Sequence, residues 1–324
     1  MTDTAETNTL ADRLSDTLGE PASSNSPAVR AAETDPAARR HLPPEWLPPA
    51  EIVHVADRGE FFVRRHRHPD PDAPTVLLLH GWTASADLQF LAAYRELGEI
   101  CSFVGIDHRG HGRGQRSLEH FDFDDVADDA AAVVSHLGLT DVIALGYSMG
   151  GPIAMHLTRR HPDLVGALIV QATALEWRAT LRERIVWRLL PIMGFALRSW
   201  THPFALRKAM ERMLVDGSDF AEHRDWLIAE TMRSEPRALI QAGKALSRQD
   251  AREWTVELGV PAGALITTKD RLVRPRKQRA LAKALDAIVV EVAIDHLGTL
   301  ENPAEYSAAN RELVDAVVEA MAER

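Results

Sequence analysis

Asp141-Val-Ile-Ala-Leu-Gly146-Tyr-Ser148-Met-Gly150-Gly151 is the stretch from which the fold can be read. A short apolar run ends in Gly146-x-Ser148-x-Gly150, and a helix-compatible segment, Pro152 to Arg160, follows at once. Strand, tight turn, helix is the setting in which a Gly-x-Ser-x-Gly pattern carries chemistry. The serine must sit on a strained turn so that its hydroxyl stands clear of the sheet. The flanking glycines keep side chains out of the neighbouring strand and helix. A free serine hydroxyl is a poor nucleophile, so the turn matters only if a base and a charge-stabilising pocket lie elsewhere in the chain.

Outward from this turn the chain alternates. Thr75 to Leu79 is a continuous apolar run, as expected of a strand covered on both faces. Helical patterns are expected at about 87–98, 123–137 and 150–160, between apolar runs at 102–106, 141–145 and 166–170. Such alternation implies a parallel sheet with crossover helices, an α/β fold. Ile52 to Val55 and Phe61 to Arg65 flank Asp57-Arg58-Gly59 and read as an antiparallel hairpin. From about Leu175 to Arg248 the alternation stops and the sequence is helical in character, with Trp177, Trp187, Trp200 and Trp226. Strand-like runs return at 264–267 and 288–294, and a last helix is expected from Pro303 to Met321. A helical insert between two parallel strands is a natural lid over the carboxyl edge of the sheet, where ligands bind in open α/β sheets. The expected organisation is a disordered extension (1–45), a first core part (46–173), a lid (174–250) and a second core part (251–324).

Composition narrows the classes of function. The chain has 324 residues, a net charge of -10 and a hydrophobic share of 45%, which suit a globular protein with one large domain plus an insert. No basic stripe dominates, which argues against nucleic acid as the main partner. The single cysteine, Cys101, lies in an apolar run and reads as a buried, inert thiol. No disulfide within the chain is possible, so nothing points to an oxidising compartment. The first residues carry neither a basic nor an apolar leader segment, and no run of about 18 apolar residues is present. A cytoplasmic location without a transmembrane segment is therefore expected. Residues 1–45 hold hardly any large apolar side chains and cannot offset their ordering entropy. Trp46, in Leu42-Pro-Pro-Glu-Trp-Leu-Pro-Pro, either pins this extended stretch to the body or sits in a plain linker.

Four features together resemble the α/β-hydrolase superfamily, in its serine-nucleophile branch of esterases, lipases and haloperoxidases with a helical lid. They are Gly146-Tyr147-Ser148-Met149-Gly150, His80-Gly81-Trp82 after the first central strand, Asp107-His108-Arg109-Gly110-His111-Gly112 after the next, and Asp270 and His296 after the last two strands. The chain order of nucleophile, acid and base is that of the family. The resemblance implies a mostly parallel central sheet with helices on both faces and a lid insert. It also implies Ser148 as nucleophile, His296 as base and Asp270 as the carboxylate that orients it. Histidine is the side chain suited to take a proton near neutral pH, and position, not composition, selects His296 among fourteen. Its setting, His-Leu-Gly-Thr-Leu-Glu-Asn-Pro, resembles the family's base loop. Asp295 is next to it, but neighbours on an extended segment point apart. The strand ending near Gln171 and Ala172 offers no carboxylate at its tip, which leaves Asp270.

The resemblance also places the oxyanion donors at the backbone N–H groups of Met149 and Trp82. The side chains of Trp82, Met149 and Tyr147 are then candidates to line the substrate pocket, although a plain packing role for Trp82 is open. The loop Asp107 to Gly114 reads as a turn held by an Asp107/Arg109 polar network. A metal site at His108 and His111 is the less favoured reading, because no further ligands cluster nearby in sequence. Its glycines do not form a dinucleotide fingerprint. Haloalkane dehalogenases and epoxide hydrolases of the superfamily carry a carboxylate at the elbow, so serine disfavours their reactions. The amphipathic run Arg184 to Trp200 is expected to pack the lid, with transient contact to a lipid interface the less favoured reading. Hydrolysis of a small, largely apolar carboxylic ester, without cofactor or metal, is the resulting expectation. Lactone or carbon–carbon bond hydrolysis, cofactor-free perhydrolysis and acyl transfer are alternatives on the same three residues. A ligand-binding protein that retains them is the non-enzymatic one.

Overall fold

The computed structural model describes residues 40–117, 120–189, 208 and 220–324. The expected disordered extension lies outside them except for residues 40–45, and so does most of 190–219, which includes the Arg184 to Trp200 run beyond Leu189.

Eight strands form one sheet: β1 (Ala50–Val55), β2 (Gly59–His66), β3 (Thr75–Leu79), β4 (Ser102–Ile106), β5 (Val142–Tyr147), β6 (Val165–Gln171), β7 (Ala262–Thr267) and β8 (Ile288–Val292). Their order across the sheet is β1-β2-β4-β3-β5-β6-β7-β8. β2 runs antiparallel to both β1 and β4, and all other neighbours are parallel. The β1–β2 pair is the expected hairpin, closed at Val55 opposite Gly59 with Asp57 at φ 62°.

Helices α1 (Ala86–Phe90), α2 (Tyr94–Gly98), α3 (Phe123–His136), α4 (Gly150–Arg160) and α9 (Pro303–Ala322) belong to the sheet layers. α5 (Leu181–Arg188), α6 (Arg224–Met232) and α7 (Pro236–Arg248) lie between β6 and β7, and α8 (Pro275–Ala284) between β7 and β8. The single helix expected over about 87–98 is instead two. Ala93 N–H donates to Phe90 O at 2.9 Å, an i to i−3 bond that tightens the chain between them.

Side-chain alternation sorts the strands onto two apolar layers. Leu77 and Leu79 join Val104, Ile106, α3 and α4 on one face. Val76 and Leu78 join Phe103, Ile143, α2 and α9 on the other. All six residues of β5 and of β7 are buried, the pattern of strands covered on both sides. Trp46 packs against the second layer, and the Arg95 guanidinium stands 4.2 Å over its ring. That contact ties the Pro-rich entry segment to the body. Cys101 is buried and its thiol is pushed up to about 12 by burial, so it stays protonated and unreactive.

Two topological facts position the site. After β3 the chain steps to β4 on one side and then back across to β5 on the other, so the β3/β5 junction is a switch point. The segment between β6 and β7 leaves and returns at one place: Glu176 bridges Asp250, and Ala251 N–H donates to Leu175 O at 2.8 Å. The insert therefore springs from a closed neck at the carboxyl edge of the sheet.

Candidate active site

Ser148 follows β5 at the switch point with φ 52°, a left-handed conformation that is costly for a side chain-bearing residue. The surroundings over-determine it. Ser148 N–H donates to Gln171 O of β6 at 2.8 Å, and Gly151 N–H donates back to Ser148 O at 3.0 Å. A Cβ on Gly146 would overlap the carbonyl of Gly150, and one on Gly150 would overlap that of Leu79. Only glycine lets strand, turn and helix approach this closely.

Three side chains from separate loops meet here. His296 Nε2 lies 2.9 Å from Ser148 Oγ, and His296 Nδ1 lies 2.7 Å from Asp270 Oδ2. Ser148, His296 and Asp270 are each buried. An ionised Asp270 can only accept, so Nδ1 carries the proton and Nε2 is left to accept from the hydroxyl. The carboxylate is fixed by further donors. Oδ1 accepts the N–H groups of Leu272 and Val273, both at 2.8 Å. Oδ2 also accepts Thr267 Oγ1–H at 2.9 Å and Gln278 Nε2–H at 3.1 Å. Gln278, from the first turn of α8, reaches Thr267 Oγ1 and Val273 O as well and accepts Thr267 N–H at 2.9 Å. Asp295 does not face the imidazole. It accepts the backbone N–H of His296 at 2.7 Å and pairs with Arg271.

The remaining candidates fall in different places. Trp82 lines the cavity over Ser148, and its indole N–H donates to Leu239 O of α7 at 2.8 Å. Gly81 abuts Ser148: a Cβ there would stand 3.3 Å from Ser148 Cβ, which puts the backbone beside that side chain. Met149 caps α4, and the first helical hydrogen bonds are accepted by Ser148 O and Met149 O. Its own N–H precedes them and belongs to the unpaired amides of a helix start. The expectation that its side chain lines the pocket does not hold. Met149 is fully buried in the layer under α4 and contributes nothing to the cavity wall. With Ser148 turned outward, the next residue is directed back into the helix–sheet interface. Tyr147 does border the cavity, but its hydroxyl is committed, donating to His296 O at 2.7 Å.

The Asp107 loop departs from its expected wiring. Asp107 does not pair with Arg109. Its carboxylate accepts Ala86 N–H and Arg113 N–H, both at 2.7 Å, and it joins the loops after β3 and β4. Arg109 reaches instead to Asp129 of α3, at 2.7 Å. Spacing along the chain favoured the nearer partner, while packing of α3 against the sheet supplied the farther one. His80 is also a joint: its Nδ1–H donates to Gly81 O at 2.8 Å, and its Nε2 accepts His108 N–H at 3.0 Å. Burial holds His80 well below its usual range, and His108 and His111 down to about 3 and about 4. These imidazoles are neutral structural groups. Among the described residues no three His, Cys, Asp or Glu side chains converge as a metal site.

The cavity beside Ser148 has a volume of about 770 Å³. Trp82, Leu88, Trp177, Trp187, Leu246 and Leu300 give it an apolar wall. The Trp187 indole Nε1–H donates to Trp177 O at 2.7 Å, and the two rings stand edge-to-face at 6.3 Å. A second hollow of about 370 Å³, lined by Arg178, Arg184 and Arg252 among others, contains none of the three convergent residues.

Comparison with known proteins agrees with this architecture. Residues 74–203 match the family described as alpha/beta hydrolase fold. The matched segment and the fold are those of the α/β-hydrolase superfamily. Over 229 residues it is 29% identical to the AB hydrolase superfamily protein YisY of Bacillus subtilis, covering 68% of this chain and 81% of that one. Over 261 residues it is 28% identical to a pimeloyl-[acyl-carrier protein] methyl ester esterase of Neisseria meningitidis, covering 78% of this chain and 99% of that one. Among solved structures, the enol-lactonase of Burkholderia xenovorans superposes with a TM-score of 0.68 at 18% identity, covering 83% of this chain and all (100%) of that one. That likeness shows the shared fold.

No helix among the described residues is long and apolar enough to cross a membrane. Gln278, Thr267 and Tyr147 hold Asp270 and His296 in place, yet sequence reading gave the first two no role. Thr267 stands three residues before Asp270, a signal in hindsight, whereas Gln278 carries none.

Proposed function

We propose that this α/β hydrolase cleaves carboxylic esters through an acyl-enzyme formed on Ser148. The observation that carries the proposal is the buried relay from Ser148 Oγ to His296 Nε2 at 2.9 Å and from His296 Nδ1 to Asp270 Oδ2 at 2.7 Å. In this mechanism Ser148 Oγ attacks the ester carbonyl carbon while His296 Nε2 takes its proton. Asp270 keeps the imidazole in the required tautomer and stabilises the imidazolium. The N–H groups of Met149 and Trp82 receive the developing oxyanion. As the tetrahedral intermediate collapses, the carbon–oxygen bond to the alcohol breaks and His296 returns its proton to the leaving oxygen. Water then repeats the sequence on the acyl-enzyme, releasing the acid and restoring Ser148.

The residues between β6 and β7 act as a lid in this proposal. α5 and α7 contribute Trp187 and Leu246 to the cavity wall, and the closed neck at Glu176 and Asp250 anchors them over the sheet edge. Esterase-named relatives point to the same bond type. The test is turnover of an activated aryl ester by Ser148→Ala. Its kcat should fall by about 10³-fold or more while the circular dichroism spectrum and Tm remain those of the parent. Near-parental turnover by a folded variant would refute the mechanism.

A further inference from the structure

The proposed reaction leaves one property of the cavity unused. Among the described residues its charged lining is almost of one sign: Arg271, Arg274, Arg276 and Lys277 stand with a single acid, Glu183. Two of these cations are neutralised, Arg271 by Asp295 at 2.6 Å and Lys277 by Glu183 at 3.0 Å. Arg274 and Arg276 make no ion pair among the described residues. Two cations without an ion pair among the described residues thus border the same cavity as Ser148, in a chain whose net charge is -10.

Helix stability does not account for them. Arg274, Arg276 and Lys277 crowd the first turn of α8, which holds no acidic residue. Cations there oppose the helix macrodipole. Both arginines are exposed at the cavity mouth, so their attraction for an anion acts through solvent and is weakened by salt. Guanidinium groups in such a position match the planar oxygens of a carboxylate or the oxygens of a phosphate.

Resting on the hydrolase reading above, we infer that the cavity takes esters whose end remote from the scissile bond carries an anion, a carboxylate or a phosphate. The ester lies at Ser148, an apolar segment lies along Trp82, Trp177, Trp187 and Leu246, and the anion meets Arg274 and Arg276 at the rim. This narrows the sequence-based expectation of a small, largely apolar ester to one with an anionic end. A wholly neutral ester would fill the apolar part and leave the rim cations in water, gaining nothing from them.

The test compares methyl esters of one chain length that end in a methyl group, a carboxylate or a phosphate. Values of kcat/KM are measured at about 20 mM and about 0.5 M salt, where screening lengths differ several-fold. Either anionic ester should exceed the neutral one by about tenfold or more at low salt, and the preference should shrink toward unity at high salt. The larger preference identifies the anion. The double variant Arg274→Glu/Arg276→Glu should abolish or invert the preference. Equal kcat/KM for all three esters, or a preference unchanged by salt and by the double variant, would overturn the inference. In that case neutral ester hydrolysis would continue and the Ser148 mechanism would stand. Absence of hydrolysis of every ester would instead strike the hydrolase reading and this inference with it.

Discussion

Replacing Asp270 by asparagine tests how the base is oriented, because the carboxylate pocket is built wholly of donors. At the Oδ1 position two backbone N–H groups, of Leu272 and Val273, arrive at 2.8 Å. At the Oδ2 position Thr267 Oγ1–H, Gln278 Nε2–H and His296 Nδ1–H converge. An asparagine has one acceptor oxygen and one donor NH₂. The backbone donors cannot rotate away, so the oxygen takes the Oδ1 position and the NH₂ faces the other three groups. Thr267 can turn its hydroxyl to accept. Gln278 cannot, and the clash of donors costs about 1–3 kcal/mol of stability. His296 escapes the clash only by presenting Nδ1 as an acceptor, which moves its proton to Nε2. Nε2 then cannot accept the Ser148 proton. Loss of the correct tautomer in a triad of this kind is worth about 10⁴-fold in kcat, or ~5 kcal/mol of barrier. The assay is kcat for p-nitrophenyl acetate at pH 7.5 alongside a urea titration. The expected result is a fall of 10³- to 10⁴-fold, with a folded protein destabilised by about 1–3 kcal/mol. A folded Asp270→Asn variant within tenfold of the parent would refute this account of the carboxylate.

Other consequences of the packing are open to measurement. Gly150→Ala would drive a Cβ into the Leu79 carbonyl. Because backbone cannot yield cheaply, soluble yield and reactivity of Ser148 toward a fluorophosphonate should both collapse, whereas Gly138→Ala, with open space around it but φ 67°, should cost only about 1 kcal/mol. Glu230 is completely buried, held by both terminal nitrogens of Arg113 and by Arg233 Nε at 3.0 Å, and it fastens α6 to the loop after β4. Glu230→Ala leaves Arg113 only its longer ion pair with Asp87, at 3.5 Å, and should lower unfolding free energy by about 3 kcal/mol in urea titrations. Acid should destabilise the fold through the buried imidazoles. Their folded pKa values lie below the unfolded value of about 6.5, with His108 at about 3 and His111 at about 4, mainly through burial. Between those limits the unfolded chain binds the protons, so stability is present above pH ~6.5 and is lost as pH falls toward 4. Asp107, raised to about 7 by burial and then by Asp87, opposes this by taking a proton in the folded state first. His108→Phe isolates the imidazole share: the slope of stability against pH between 6 and 4.5 should become shallower by ~1 kcal/mol per unit. An unchanged slope would contradict the burial of a neutral His108.

What could be read from the sequence was what local geometry dictates. Gly146 and Gly150 are required by contacts within five residues of each other and with the adjacent strand, so the turn announces itself. Continuous apolar runs in β3 and β5 follow from burial on both faces, and the 2-fold and 3.6-fold periodicities order the elements. His296 could be singled out because it lies between the last apolar run and the closing helix. Partners chosen by packing between distant elements were not legible. Arg109 meets Asp129 because α3 packs beside its loop, and Arg113 meets Glu230 across 117 residues. Gln278 reaches Asp270 only because α8 starts directly below the acid loop, and a lone glutamine in a helix carries no mark of that. Met149 follows the nucleophile by one residue yet faces the opposite way, since the turn at Ser148 reverses the direction of the side chains. The cationic rim draws on the Asp270 loop and on the start of α8, and only the cavity between them gives its charges a common purpose.

The acyl-enzyme itself can be caught. Mixing the protein with a p-nitrophenyl ester, quenching in acid within milliseconds and mapping the peptides by mass spectrometry should place the acyl mass on the peptide that bears Ser148, with p-nitrophenolate released in a burst equal to the enzyme concentration. Acyl mass on a different residue, or sustained turnover with no covalent adduct at any time point, would contradict a nucleophilic role for Ser148.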